Sequence, residues 1–332
     1  MNDLIPASTD HRLAVAAALA DGQTRSGQDI ANALGLSRSA VWKHVRSLAD
    51  LGVVLEAEAG RGYRLARPLE LLDARRIRAG AGALLDRLEI HASLDSTNSH
   101  LLAQPVPPPG RLHACLAEHQ SAGRGRRGRS WAAPFGGGLY LSLAWQFVER
   151  PPQFTALGLA VGVAVRRALA EIGVDDAQLK WPNDIVHAGG KLGGVLVELR
   201  GEADGPALVV IGIGINIALP PAVRAAIVPG WGRGPVDLAQ AGITGCRNRL
   251  AGALIAHAGE MLEDFQRQGF APFIAEFHDA DFLLRRPVHA PLPTGEVDGI
   301  ADGVEPDGSL RVVAGERVHL VSSGEVSVKV AR

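Results

Sequence analysis

Nine residues from Gly123 to Trp131, GRGRRGRSW, interleave four arginines with three glycines. Glycines let the backbone N–H groups of a loop turn toward a phosphate, and Arg124, Arg126, Arg127 and Arg129 supply the charge that an anion requires. The run contains GxGxxG in form, but a dinucleotide fold needs a helix to open at the third glycine. SWAAPFGGG, which follows at 130–138, cannot supply one, so that reading is rejected. A solvated charge run is the plain alternative; the interleaved glycines and the trailing Trp131, on which a base could stack, weigh against it.

A second pattern, KWPND at Lys180 to Asp184, is followed beyond a Gly189-Gly190 turn by KLGG at Lys191 to Gly194. The chain has four lysines (Lys43, Lys180, Lys191, Lys329) against thirty arginines, and two of the four fall within these twelve residues. A lysine kept where arginine is the default cation marks a place where a compact ammonium serves and a planar fork does not. Read alone, the segment is equally a buried hairpin with structural polar residues. GIGIN at Gly212 to Asn216 permits close backbone approach and ends in a side chain able to contact a nucleotide. Asp95-Ser96-Thr97-Asn98 offers short hydrogen-bonding side chains at the start of a helix, where such residues are most often caps.

Lysine plus arginine number 34 against 35 acidic residues, so bulk charge argues for no nucleic-acid, membrane or acidic partner, and any such site must be local. Cys115 and Cys246 are too few and too far apart for a disulfide framework or a paired-cysteine metal site, which suits a reducing compartment. MNDLIPASTD has no basic, then apolar, leader pattern. The most membrane-like stretch, Phe154 to Val165, is well short of the roughly 20 residues a span needs. A cytoplasmic protein without membrane association is expected.

The elements that must position these motifs fall into three groups along 332 residues, more than one core organises. Residues 1–67 predict three short helices and a hairpin. Leu13, Ala16, Ala17 and Ala20 form one apolar stripe; Ser26 and Asp29 have capping-box form before Ile30, Ala33 and Leu34; Ser37 caps a third helix burying Val41, Val45 and Leu48. The opposite face of that helix displays Ser39, Lys43 and Arg46, and the hairpin turn carries Arg61, the arrangement of a winged helix-turn-helix. Eight basic and seven acidic residues leave this module nearly neutral, so one copy should hold DNA weakly and affinity must come from pairing two. A linker, 68–85, with a short helix leads to a mixed α/β region, 86–284. Its strands are read at Leu88 to Leu94, Leu112 to His119, Leu139 to Phe147, Val195 to Leu199 and Leu208 to Ile213, with helices at Phe154 to Ile172, Arg247 to Gln268 and Pro272 to Phe277. The tail, 285–332, reads as a small β-barrel. No motif is visible between about 218 and 245.

The order and spacing of DSTN, His119-Gln120 with GRGRRGRSW, KWPND, KLGG and GIGIN resemble the biotin–protein ligases, and the RGYRL wing at Arg61 to Leu65 resembles their bifunctional bacterial branch, whose ligase also represses the biotin operon. The resemblance implies an α+β protein: a winged helix-turn-helix, a catalytic domain related to class II aminoacyl-tRNA synthetases and lipoate ligases, and an SH3-like last domain. It implies ATP and Mg²⁺ as cofactors, biotin as substrate, and biotinyl-5′-AMP as intermediate and corepressor. The partners it implies are a biotin carboxyl carrier protein (an acetyl-CoA carboxylase subunit) as acceptor, operator DNA, and a second copy of the chain when the adenylate is bound. By the same similarity Ser96, Thr97, Asn98, Gln120, Arg124, Gly125, Arg126 and Lys191 should hold biotin. Trp131, Asn183, Asn216 and Arg129 should hold ATP, and Lys191, Arg126, Lys180 and Asp184 should serve the chemistry, Asp184 near any Mg²⁺. Ser39, Lys43, Arg46 and Arg61 should contact DNA. A lipoate or octanoate ligase, or a biotin-sensing repressor without catalysis, are the alternatives; the arginine-rich loop and the filled charged positions argue against them.

Overall fold

The computed structural model describes residues 11–58, 60–149, 151, 153–201, 206–228, 234–292, 295–322 and 329–330; the N-terminal stretch read above lies outside them. The first unit consists of α1 (His11–Ala18), α2 (Gly27–Leu34), α3 (Arg38–Ser47) and the antiparallel hairpin β1 (Leu55–Glu58) and β2 (Gly62–Leu65). Ser37 caps α3 by accepting from Ala40 N–H at 3.1 Å. The capping box expected at Ser26 is only half formed: its hydroxyl accepts from Asp29 N–H but donates to the Asp29 carboxylate at 2.7 Å, which keeps that carboxylate from the Ser26 backbone. Two core expectations shift by a residue or two. Val15, with Leu19 just beyond α1, is buried in place of half-buried Ala17, and Ala31 replaces exposed Ala33.

After α4 (Ala74–Gly80) comes a seven-stranded sheet built from β3 (Leu85–His91), β4 (Leu112–Ala117), β5 (Gly138–Phe147), β6 (Gln178–Lys180), β7 (Asp184–His187), β8 (Gly190–Gly201) and β9 (Ala207–Asn216). Their order is β3-β4-β5-β9-β8-β7-β6, with β3 parallel to β4 and every other pair antiparallel. Two strands, β6 and β7, were not expected, being short and broken by the polar KWPND turn. Strand β3 begins and ends three residues earlier than read, and β8 starts at Gly190 and β9 runs to Asn216, so KLGG and GIGIN lie within strands.

Alternation along the central strands separates two faces. Leu139, Leu141, Leu143 and Trp145 of β5, with Ile211, Ile213 and Ile215 of β9, point into the main core under α6 (Leu157–Glu171) and α8 (Arg247–Gln268). The alternate positions Ser142 and Ala144, and Val210, Gly212 and Gly214, face α5 (Thr97–Ala103). One face of the sheet is thus spent on stability and the other is free to carry chemistry. Helices α7 (Pro221–Ala226) and α9 (Ile274–Ala280) complete this unit; the start of the read 154–172 helix is a 3-10 turn at Phe154–Ala156.

The last unit is a five-stranded antiparallel sheet, β10 (Pro287–Leu292), β11 (Gly295–Val304), β12 (Leu310–Ala314), β13 (Arg317–Val321) and β14 (Lys329–Val330), in the order β13-β12-β11-β10-β14. Buried Arg247, at the start of α8, ties the linker to the sheet. Its guanidinium donates to Glu118 at 2.8 Å and to the carbonyls of Glu70 and Gly138, while Glu118 also accepts from Leu72 N–H. Removing one partner of such a pair costs about 3–5 kcal/mol, and urea unfolding of Arg247→Met should show a loss of that order.

Candidate active site

Short polar residues on α5 meet the sheet at its glycine-bearing face. Ser96 is the N-cap, accepting from Ser99 N–H, which aims the following two side chains at β5 and β9. Thr97 donates its N–H and its hydroxyl to Gln120 Oε1, at 2.8 and 3.1 Å, and Ser142 Oγ lies within hydrogen-bond reach of both Thr97 Oγ1 and Asn98 Oδ1. Asn98 then donates to Glu198 Oε2 at 2.8 Å, and the same oxygen accepts from Arg124 at 2.7 Å. Ser96, Thr97 and Asn98 are all buried. The structure places Ser96, Thr97, Asn98, Gln120 and Arg124 near one another and adds Ser142 and Glu198, which the sequence reading did not name. Ser142 had a visible signal, a lone hydroxyl inside the apolar run LYLSLAW; Glu198 had none, since its position beside Asn98 depends on strand pairing.

The glycines of GIGIN do permit close approach, though of the protein's own side chains. A Cβ on Gly212 would come within 2.5 Å of Asn98 Oδ1, and one on Gly214 within 2.8 Å of the Trp131 indole. Trp131 thus packs against β9 at Gly214, with Lys191 Nζ 5.6 Å from its ring centroid; its indole N–H is buried and finds no acceptor among the described residues. Backbone bonds from Gly125 N–H to Arg129 and from Trp131 N–H to Gly123 close the arginine-rich loop on itself, leaving Arg126 turned inward and Arg129 exposed. Gly125 lies in this closed turn, near extended backbone geometry.

Beyond Trp131 the charged residues gather. Lys191 Nζ sits 2.6 Å from Asp184 Oδ1, and Arg126 reaches Asn183 Oδ1 at 3.4 Å while Asn183 donates to Val195 O. Lys180 is buried, and that burial, outweighing the attraction of Asp184, pulls its pKa down to about 8; Lys191 and Arg129 pull the same way. Burial likewise lowers Arg126, with Arg127 adding to the effect. Several cations therefore face one carboxylate, an arrangement suited to a polyanion. The Asn216 amide donates to the carbonyls of Lys191 and Val236, and the 234–236 segment pairs with Lys191 through two backbone bonds. That segment carries no motif, so nothing in the sequence marked it as a wall of the site.

On the first unit, Ser39, Lys43, Arg46 and Arg61 are all exposed. The Arg46 guanidinium covers the exposed Trp42 ring at 4.8 Å, and Arg61 pairs with Glu58 at 3.2 Å.

Comparison with known proteins agrees with this division. Residues 91–216 match the biotin/lipoate A/B protein ligase family, 12–64 a helix-turn-helix domain and 285–329 the biotin protein ligase C-terminal domain. The bifunctional ligase/repressor BirA of Salmonella typhimurium is 38% identical over 316 residues, covering 94% of this chain and 96% of that protein. BirA of Escherichia coli is 37% identical, covering 96% and 97%. The biotin protein ligase from Aquifex aeolicus in complex with biotin and ATP superposes with a TM-score of 0.62 at 28% identity, over 74% of this chain and 99% of that one. Fold and site thus define a carboxylate-activating ligase joined to a DNA-binding module. The chain belongs to the biotin–protein ligases, in the bifunctional ligase/repressor branch.

Proposed function

We propose that this protein activates biotin with ATP and passes it to one lysine of a biotin carboxyl carrier protein, and that its adenylate-bound form dimerises and represses the biotin biosynthetic operon. The observation that carries the ligase reading is the junction at Lys191: a neutral hydrogen-bonding pocket ends where a cluster of cations begins, with Trp131 between them. A carboxylate oxygen of biotin attacks the α-phosphorus, pyrophosphate leaves, and biotinyl-5′-AMP forms. The acceptor amine then attacks the acyl carbon, loses a proton and expels AMP.

Ser96, Thr97, Asn98, Gln120 and the Arg124-Gly125-Arg126 stretch hold biotin, with Arg124 also holding Glu198 in place. Lys191 stabilises charge between carboxylate and α-phosphate in both steps. Lys180 and Arg126 take the phosphates, and Arg126 also keeps the adenylate in the site. Trp131, Asn183 and Arg129 border the nucleotide, Asn216 acting by fixing the backbone at Lys191. The donor set fits Mg²⁺ arriving with the triphosphate: Asp184 offers one hard carboxylate, and phosphate and water oxygens can complete the shell. Bound there, the ion would neutralise phosphate charge. The domains follow the divisions 1–67, 68–85, 86–284 and 285–332, and the protein acts in the cytoplasm. Among the described residues, no helix is long and apolar enough to cross a membrane.

ATP–pyrophosphate exchange with biotin, lipoate, octanoate or no acid tests the ligase reading. Exchange that depends on biotin is expected; exchange with another acid, or none, overturns it. Sedimentation and operator binding with and without biotin plus ATP test the repressor reading, which fails if the adenylate changes neither self-association nor affinity.

A further inference from the structure

On the α5 face of the sheet, away from the charged cluster, four side chains of metal-ligating type converge. Parallel pairing sets Glu89 of β3 beside Cys115 of β4, and alternation puts His91 on the same face as Glu89. His100 comes from α5, one turn beyond the Ser96 cap. Glu89 Oε2 lies 3.0 Å from His100 Nε2 and 3.3 Å from His91 Nε2, and the two imidazoles are 4.8 Å apart. One ligand atom from each of His91, His100 and Cys115 lies within 4.8 Å of the others.

We propose that His91, His100 and Cys115, with Glu89 as fourth donor, form a binding site for a borderline divalent cation of the Zn²⁺ type. Two imidazoles, a thiolate and a carboxylate are donors that Zn²⁺ takes in tetrahedral array, whereas Mg²⁺ and Ca²⁺ require oxygen. A tetrahedral zinc holds its donor atoms roughly 3.3–3.6 Å apart, given Zn–N and Zn–S lengths of about 2.0 and 2.3 Å, so drawing His91, His100 and Cys115 onto one ion requires about 1 Å of side-chain movement. Half-buried His91 provides both that freedom and the path from solvent. Binding forms a metal–sulfur bond and releases the Cys115 proton to solvent.

The site joins α5 to β3 and β4, and α5 carries Thr97 and Asn98, so an ion there would fasten the helix that bears the polar pocket. The chelator-treated full chain should bind one Zn²⁺, Co²⁺ in its place should show a thiolate-to-metal charge-transfer band, and Zn²⁺ should raise Tm. Cys115→Ala and His91→Gln should each weaken Zn²⁺ binding at least about 100-fold, and Cys115→Ala should abolish the band. His91→Gln alters a half-buried position, so it remains informative if the buried cysteine variant folds poorly. Absence of stoichiometric Zn²⁺, absence of the band, or unchanged affinity in either folded variant overturns the site, whatever the ligase assay gives.

Discussion

The polar pocket and the charged cluster lie side by side on one sheet face yet are built on opposite terms. In the pocket the donors are answered within the protein: Thr97 donates to Gln120, Ser142 to Asn98, and Asn98 and Arg124 to Glu198. In the cluster Lys180, Lys191 and Arg126 face one carboxylate, Asp184, and burial lowers the pKa of Lys180 and of Arg126. A self-satisfied pocket fixes shape and selects a neutral, hydrogen-bonding ligand. An under-neutralised cluster holds its charge at a cost until an anion enters, which suits it to stabilising charge that develops during reaction.

Lys191→Ala should have the largest effect, on the order of 10²-fold or more in biotinyl-AMP formation, because it removes a preorganised cation where the two regions meet. Lys191→Arg should rescue poorly, since the fork is larger and aimed differently. Formation within about threefold of the parent, a margin small beside that electrostatic loss, would break the contrast.

Paired glycine variants sharpen it. Gly212→Ala places a methyl against Asn98 and should raise KM for biotin about tenfold or more, the equivalent of one buried hydrogen bond. Gly214→Ala presses on Trp131 and should raise KM for ATP instead. If each variant moved the other substrate, the two regions would not be separable.

Titration of Lys180 gives a graded test. With its pKa at about 8, the cation is lost as pH rises, so kcat/KM for ATP should fall about tenfold between roughly pH 7 and 9. Lys180→Arg should flatten that limb. The stability sign is the reverse: the folded pKa lies below the ordinary 10.5, so the unfolded chain holds more protons between about 8 and 10.5 and the contribution to stability rises with pH across that window. Thermal unfolding of parent and Lys180→Met across this range reads it.

The smallest effect belongs to the far end of the molecule. Lys43→Ala should weaken operator binding evenly across sequences and reduce the slope of log affinity against log salt by about 1, with pyrophosphate exchange unchanged. A change in exchange would show that the DNA-binding face and the active site are not independent.

The motifs with a compact chemical identity were legible from the sequence by itself, because residue type and local spacing carry them. The arginine–glycine loop, the two retained lysines, the Ser37 cap and the α8 limits are of that kind. Local pattern could not reveal β6 and β7, whose three and four residues are too few for a period to register. Nor could it reveal Glu198 beside Asn98, Val236 under Asn216, or His91, His100 and Cys115 in one cluster. Those neighbours are set by strand order and register, which bring together positions up to 100 residues apart. GIGIN shows the division within five residues: its glycines marked a place of close approach, but only the packing of Asn98 and Trp131 onto Gly212 and Gly214 decided what the glycines make room for. Side-chain type is encoded one residue at a time, whereas juxtaposition across a sheet exists only once the whole sheet has formed.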